Sequence, residues 1–137
     1  MATKIKKVDY FYCSFEDQPG ESYKLLSFLK KVGVSLHAFT CVPTGPFRTQ
    51  FTLFPEDTSK LVVEAKKANL QLDGPNPAFL ILGDDEIGAL VNIHQKLFQA
   101  KVNVYSSNAV TDGRGGFGYV LYISPEQYKK AAQVLEV

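Results

Sequence analysis

Two short turns hold the residues best suited to chemistry in this chain: Asp17-Gln18-Pro19-Gly20 and Asp85-Glu86-Ile87-Gly88. Each separates an apolar alternating stretch from one whose apolar residues recur at helical spacing. Glycine lets the backbone come close to a ligand, and the open N–H groups of a first helical turn form a positive end that suits a carboxylate. That is the chemistry of holding a small anion, not of making bonds. His37 and His94 lack the spacing of a triad or a metal set, and no Cys-His or paired-carboxylate motif is present. Cys13 and Cys41 lie inside apolar stretches and read as buried, reduced thiols. Asp84, Asp85 and Glu86 read as a helix-capping run rather than a cation site. The expectation is a binding protein without catalytic residues, metal or cofactor.

The elements that position these turns come in duplicate. At an offset of 68 residues, Gly20 falls on Gly88, Leu25 on Ile93, Leu29 on Leu97, Val34 on Val102 and Phe51 on Tyr119. Strand-like stretches run over 8–15 and 78–82. Helical stripes follow, through Leu25, Leu26 and Leu29 in one half and through Ile87, Leu90, Val91, His94, Leu97 and Phe98 in the other. That register puts His94 on the core-facing side of its helix and His37 in mid-strand. Gly33 reads as a C-cap. Hairpins join 34–42 to 47–54 and 102–110 to 117–123, and Pro55-Glu56 and Pro125-Glu126 open two further helices.

The fold expected is α+β: two ferredoxin-like βαββαβ units in tandem, antiparallel sheets with helices on one face. The first unit spans 1–73, a linker 74–77 and the second unit 78–137. Leu70 to Leu72 would close the first sheet, and Leu135 to Val137 leaves only a stub for the second. Tyr10 and Tyr12 flank Phe11 and Cys13, so both faces of the first strand are apolar, and covering the free face calls for the other unit or a homo-oligomer, at least a dimer.

Composition narrows the partners. A formal charge of +1 creates no field toward nucleic acid or membrane, and 45% hydrophobic with 21% charged residues describes a folding chain. Lys4, Lys6 and Lys7 read as a solubilising tail. The start of the chain has no apolar signal core and no apolar run approaches bilayer length, so a cytoplasmic location is expected.

The D-x-P-G turn opening a helix, the βαββαβ order, the unit of about 65 residues and the strand Gly118-Tyr119-Val120-Leu121-Tyr122-Ile123 resemble the ACT domain family, over nearly the whole chain and twice. The resemblance implies a regulatory module that binds an amino acid or similar small effector at an interface between units, with any regulated enzyme on a separate chain. By that resemblance the ligand loops are Asp17, Gln18, Pro19 and Gly20, and Asp85, Glu86, Ile87, Gly88 and Ala89, with Thr40 or Asn108 of a facing second strand as polar partner. Ile87 stands where the family has proline, and Glu21-Ser22 where it has two apolar residues.

Two other readings stay open. One is a pure assembly module whose turns are only caps. The other is RNA binding, because Gly116-Phe117-Gly118-Tyr119-Val120 fits most of a base-stacking strand motif through Phe117 and Tyr119. Gly115 stands where that motif wants a basic residue.

Overall fold

The computed structural model describes residues 3–137, and its elements change where the hydrophobic period changes. They are β1 (Lys4–Glu16), α1 (Glu21–Val32), β2 (Leu36–Pro43), β3 (Arg48–Pro55), α2 (Thr58–Lys67), β4 (Asp73–Asp84), α3 (Val91–Gln99), β5 (Val104–Thr111), β6 (Gly116–Ile123) and α4 (Pro125–Val134). The chain forms two compact units. The first is Asp9–Asn76, and the second combines the described residues up to Val8 with Pro77–Val137.

Both unit boundaries fall inside strands. The late part of β1 and the early part of β4 belong to the first unit, and the early part of β1 and the late part of β4 to the second. The strand order is therefore β4-β1-β3-β2 in the first unit and β1-β4-β6-β5 in the second. In the first, Asn76 Nδ2 donates to the Tyr10 carbonyl at 3.5 Å. In the second, Ile5 packs against the core.

This exchange corrects three expectations. Residues 74–77, expected as a linker, run inside β4. Residues 70–72 form no strand; Leu70 and Leu72 instead pack against the first core. The chain's last residues form no strand either, because Leu135 caps α4 and is buried, and the strand missing there comes from 4–8. Lys4, Lys6 and Lys7 are strand residues, with Lys4 and Lys7 exposed on the outer strand of their unit, where charge discourages further pairing. Pro75 sits on the outer strand of the first unit, where a missing N–H costs least.

Each unit has its own core on the helix side of its sheet. The first joins Phe11, Phe51 and Leu53 to Leu25, Leu29 and Leu61, and the second joins Phe79, Ile81 and Leu121 to Ile93, Leu97 and Ala131. In register, Phe11 faces Leu53 and Cys13 faces Phe51, while Phe79 faces Leu121 and Ile81 faces Tyr119. Residues of alternate parity project to the other side. There Tyr10, Thr52 and Phe54, and Ala78, Leu80, Val120 and Tyr122, are all buried in the single chain.

Helix starts follow capping chemistry. Pro125 opens α4 as expected, but α2 begins after Asp57, whose carboxylate accepts the Lys60 N–H at 3.1 Å, and Pro55 ends β3. Gly33 closes α1 with φ 75°, and its N–H bonds the Leu29 and Lys30 carbonyls. Cys41 is exposed, contrary to expectation, because it lies toward the open end of β2. Cys13 is buried, and burial, followed by the neighbouring Cys41 thiol, pushes its pKa up to about 11.

Replacing Ile5 by Ala should lower the unfolding free energy by about 1–2 kcal/mol in urea titrations, since it removes core packing and not a loose tail. A thiol held neutral by the fold gives stability that is complete below its unfolded value near 9 and is lost as pH rises toward about 11. Cys13→Ala should therefore show a shallower fall in stability across that alkaline window than the unaltered chain.

Candidate functional site

In the first unit, Asp17, Gln18, Pro19 and Gly20 form an exposed turn, anchored where the Asp17 N–H donates to the Phe47 carbonyl at 2.9 Å. Gly20 is the N-cap of α1 at φ 92°, without a side-chain cap. The next residue changes the electrostatics. Glu21, in the first helical turn, accepts a hydrogen bond from Gln18 Nε2, lies 3.7 Å from Lys24 Nζ, and its side chain is only 13% exposed. The chain's own carboxylate already sits at the positive end of this helix.

The second unit differs at the same place. The Asp85 N–H donates to the Gly115 carbonyl at 2.8 Å, the Ala89 N–H to Glu86 at 3.1 Å and the Val91 N–H to Gly88 at 3.0 Å. Gly88 has φ 72°, the left-handed turn that glycine adopts at little cost. The helix expected from Ile87 begins only at Val91, because residues 87–90 are used by this turn. α3 has no acidic residue in its first turn and no side-chain cap at Leu90. Beside it lies an open concavity of about 410 Å³ within the unit. Asp85, Glu86, Gly88 and Ala89 line one side, Leu90 and Val91 the helix side, and Ala109, Val110, Thr111 and Phe117 the sheet side.

The remaining expected residues lie elsewhere. Ile87 is fully exposed and is not part of the concavity wall. Asn108, exposed on β5, faces Val120, while the lining residues Ala109 and Thr111 face Tyr119 and Phe117; strand alternation puts Asn108 on the opposite side. Thr40 is half-buried on β2 opposite Thr52, also on the side away from the helices. Within each unit, neither residue is brought to its turn.

Sequence reasoning missed Val110, Thr111 and Phe117 as wall residues. The available signal was the hairpin, whose register places Thr111 opposite Phe117. His37 is exposed on β2, near the register shift between Leu36 and Ala38. His94, expected partly buried and hydrogen-bonded on the core-facing side of its helix, is exposed, since the buried helix positions are Ile93 and Leu97, but it is hydrogen-bonded. Its Nε2 is 2.7 Å from Tyr119 Oη. Tyr119 is buried and Phe117 half-buried against the helix-side core, so neither ring is free to stack a base, which removes the RNA reading.

Among the described residues, no three His, Cys, Asp or Glu side chains gather as a metal set, and no helix is long and apolar enough to cross a membrane. Asp112, in the hairpin turn, accepts N–H bonds from Arg114 at 2.6 Å and Gly116 at 3.0 Å, and these hold its carboxyl below the ordinary range.

In sequence the chain matches no family model and no curated protein. Solved structures do resemble it. Protein BT0572 from Bacteroides thetaiotaomicron superposes with a TM-score of 0.81 at 15% identity, covering 96% of this chain and 88% of that one. The regulatory subunit of aspartate kinase from Thermus thermophilus, in ligand-free form, gives 0.61 at 14% identity over 98% and 94%. This chain has the tandem ACT-like fold. The aspartokinase alpha and beta subunits share it, with a TM-score of 0.63 at 12% identity over 99% of this chain and 95% of that one.

If Tyr119 is held in the core by its hydroxyl as well as its ring, Tyr119→Phe should cost about 1 kcal/mol in denaturant titration. His94→Ala should lose no more in a Tyr119→Phe background than the packing of one exposed side chain.

Proposed function

We propose that this chain is a non-catalytic regulatory protein that binds a small effector, an amino acid, in the second-unit concavity. The observation that carries the reading is that concavity: it opens beside an uncapped helix start, next to a left-handed glycine, in a chain with the fold of aspartate kinase regulatory subunits. The effector's carboxylate faces the positive end of α3, and Asp85, Glu86, Gly88 and Ala89 line the turn side of the concavity. Asn108 and Thr40, each on a second strand, contact an effector only through a facing unit. That arrangement belongs to a homodimer or higher homo-oligomer in the cytoplasm, acting on a separate enzyme. Binding regulates by favouring one arrangement of units over another, to the extent of the ligand's differential affinity.

The first-unit turn, Asp17 to Gly20, differs because Glu21 occupies its helix end. One ligand per chain follows. A second reading, assembly without ligand, draws on β5, whose residues from Tyr105 to Thr111 are all exposed.

Thermal-shift screening against the twenty amino acids tests the proposal. An effector at a hundredfold its Kd should add about 2.7 kcal/mol of stability. Gly88→Val strains a φ of 72° and places its side chain toward Val91, and it should abolish the shift while far-ultraviolet circular dichroism is retained. Failure of every amino acid to stabilise the chain would favour the assembly reading.

A further inference from the structure

A different concavity lies wholly within the first unit, beside the C-terminal end of α2. The helix closes there in a tight turn. The Ala68 N–H bonds the Glu64 carbonyl at 3.1 Å, the Asn69 N–H that of Lys66 at 3.1 Å and the Leu70 N–H that of Ala65 at 2.9 Å, with Asn69 left-handed at φ 57°. Residues 70–72 then form no strand, and a space of about 380 Å³ is left among them, α2 and Phe11. Sites for small organic molecules have this size. Phe11, Val62 and Leu72 make its apolar side, and Lys66, Asn69 and Gln71, all exposed, its polar side. Lys67 lies 3.5 Å from the Glu64 carboxylate, but no group of the chain bonds the Lys66 ammonium or the Asn69 and Gln71 side-chain amides. None of the described residues lining the space is acidic.

We propose that this concavity binds a small carboxylic acid with an apolar body, its carboxylate toward Lys66, Asn69 and Gln71 and its body against Val62 and Leu72. Lys66 is the single ionisable group in the wall, so the local field favours an anion. The two side-chain amides donate N–H groups, and hydrogen bonds to an ionised acceptor are stronger than neutral ones. A bare inorganic anion would leave the hydrocarbon side wet, whereas an apolar body removes it from water. An ammonium group finds no acid here and faces Lys66, so the ligand class is not that of an amino acid. The site shares no residue with the second-unit concavity, and no helix start takes part in it. It adds a second kind of ligand to the one effector per chain and does not rest on that reading.

Isothermal titration of the full chain with 3-phenylpropanoate, 3-phenylpropan-1-ol and 3-phenylpropylamine, which share one apolar body, tests this. The acid should bind about fivefold more tightly than the alcohol, the size of one solvent-screened ion pair, and the amine more weakly than the alcohol. Lys66→Gln removes the charge at an exposed position and keeps helix propensity. Asn69→Gly removes one amide while glycine adopts the left-handed turn. Both variants should keep the far-ultraviolet circular dichroism of the unaltered chain. Each should weaken binding of the acid, and in Lys66→Gln the acid should bind no better than the alcohol. Gly88→Val, which strains the second-unit turn, should leave binding of the acid unchanged. Equal binding of acid and alcohol by the unaltered chain, an undiminished preference in Lys66→Gln, loss of acid binding in Gly88→Val, or no heat from the acid at millimolar concentration overturns the proposal. Amino-acid thermal shifts that Gly88→Val abolishes are read separately, so the two sites can fail independently.

Discussion

Strand pairing between residues distant in the chain is the constraint on which the rest depends. β1 and β4 each begin in one unit and end in the other: the first unit is the continuous stretch Asp9–Asn76, while the second takes its fourth strand from the start of the chain. Units of this size bury too little surface to tolerate a missing strand. The cores on the helix side, Phe11 with Leu53 and Phe79 with Leu121, sit on strands whose outer neighbours arrive from far along the chain. With those strands held, the β1–α1 and β4–α3 turns emerge at fixed sheet ends, and only there do Gly20 and Gly88 take their left-handed conformations.

On that common frame the two turns have diverged electrostatically. One helix start is neutralised from within by Glu21, itself held by Gln18 and Lys24. The other carries no acid in its first turn and opens beside a concavity. A repeated fold therefore need not mean a repeated site: one side chain at the first helical position is enough to separate a self-satisfied turn from an open one.

Much of this was legible because a duplication carries its own control. The offset that superposes Gly20 on Gly88 also pairs Leu25 with Ile93 and Leu29 with Leu97, and all four leucine and isoleucine side chains are buried. The hydrophobic stripe read from the second half alone was less accurate, since it included His94, Val91 and Phe98, which are exposed. Apolar residues at helical spacing cover more than one face, and the stripe of the first half likewise included the exposed Leu26. The exchanged strand was not legible. Lys4-Ile5-Lys6-Lys7-Val8 has the charge density of a tail, and nothing local marks it as the partner of residues more than seventy positions away. The turns were found, but the hairpin wall facing the second one was not, because it follows from register. Position along β5, not residue type, decides that residues 109–111 line the concavity and Asn108 does not.

The period of the sequence and the period of the architecture are out of phase by one strand. Severing the chain between Asn76 and Pro77 would divide it cleanly as text yet leave one piece with a surplus strand end and the other with an open sheet flank. The first piece keeps all of Asp9–Asn76, whereas the second lacks the strand supplied by the residues up to Val8 and would regain it only in the first's company.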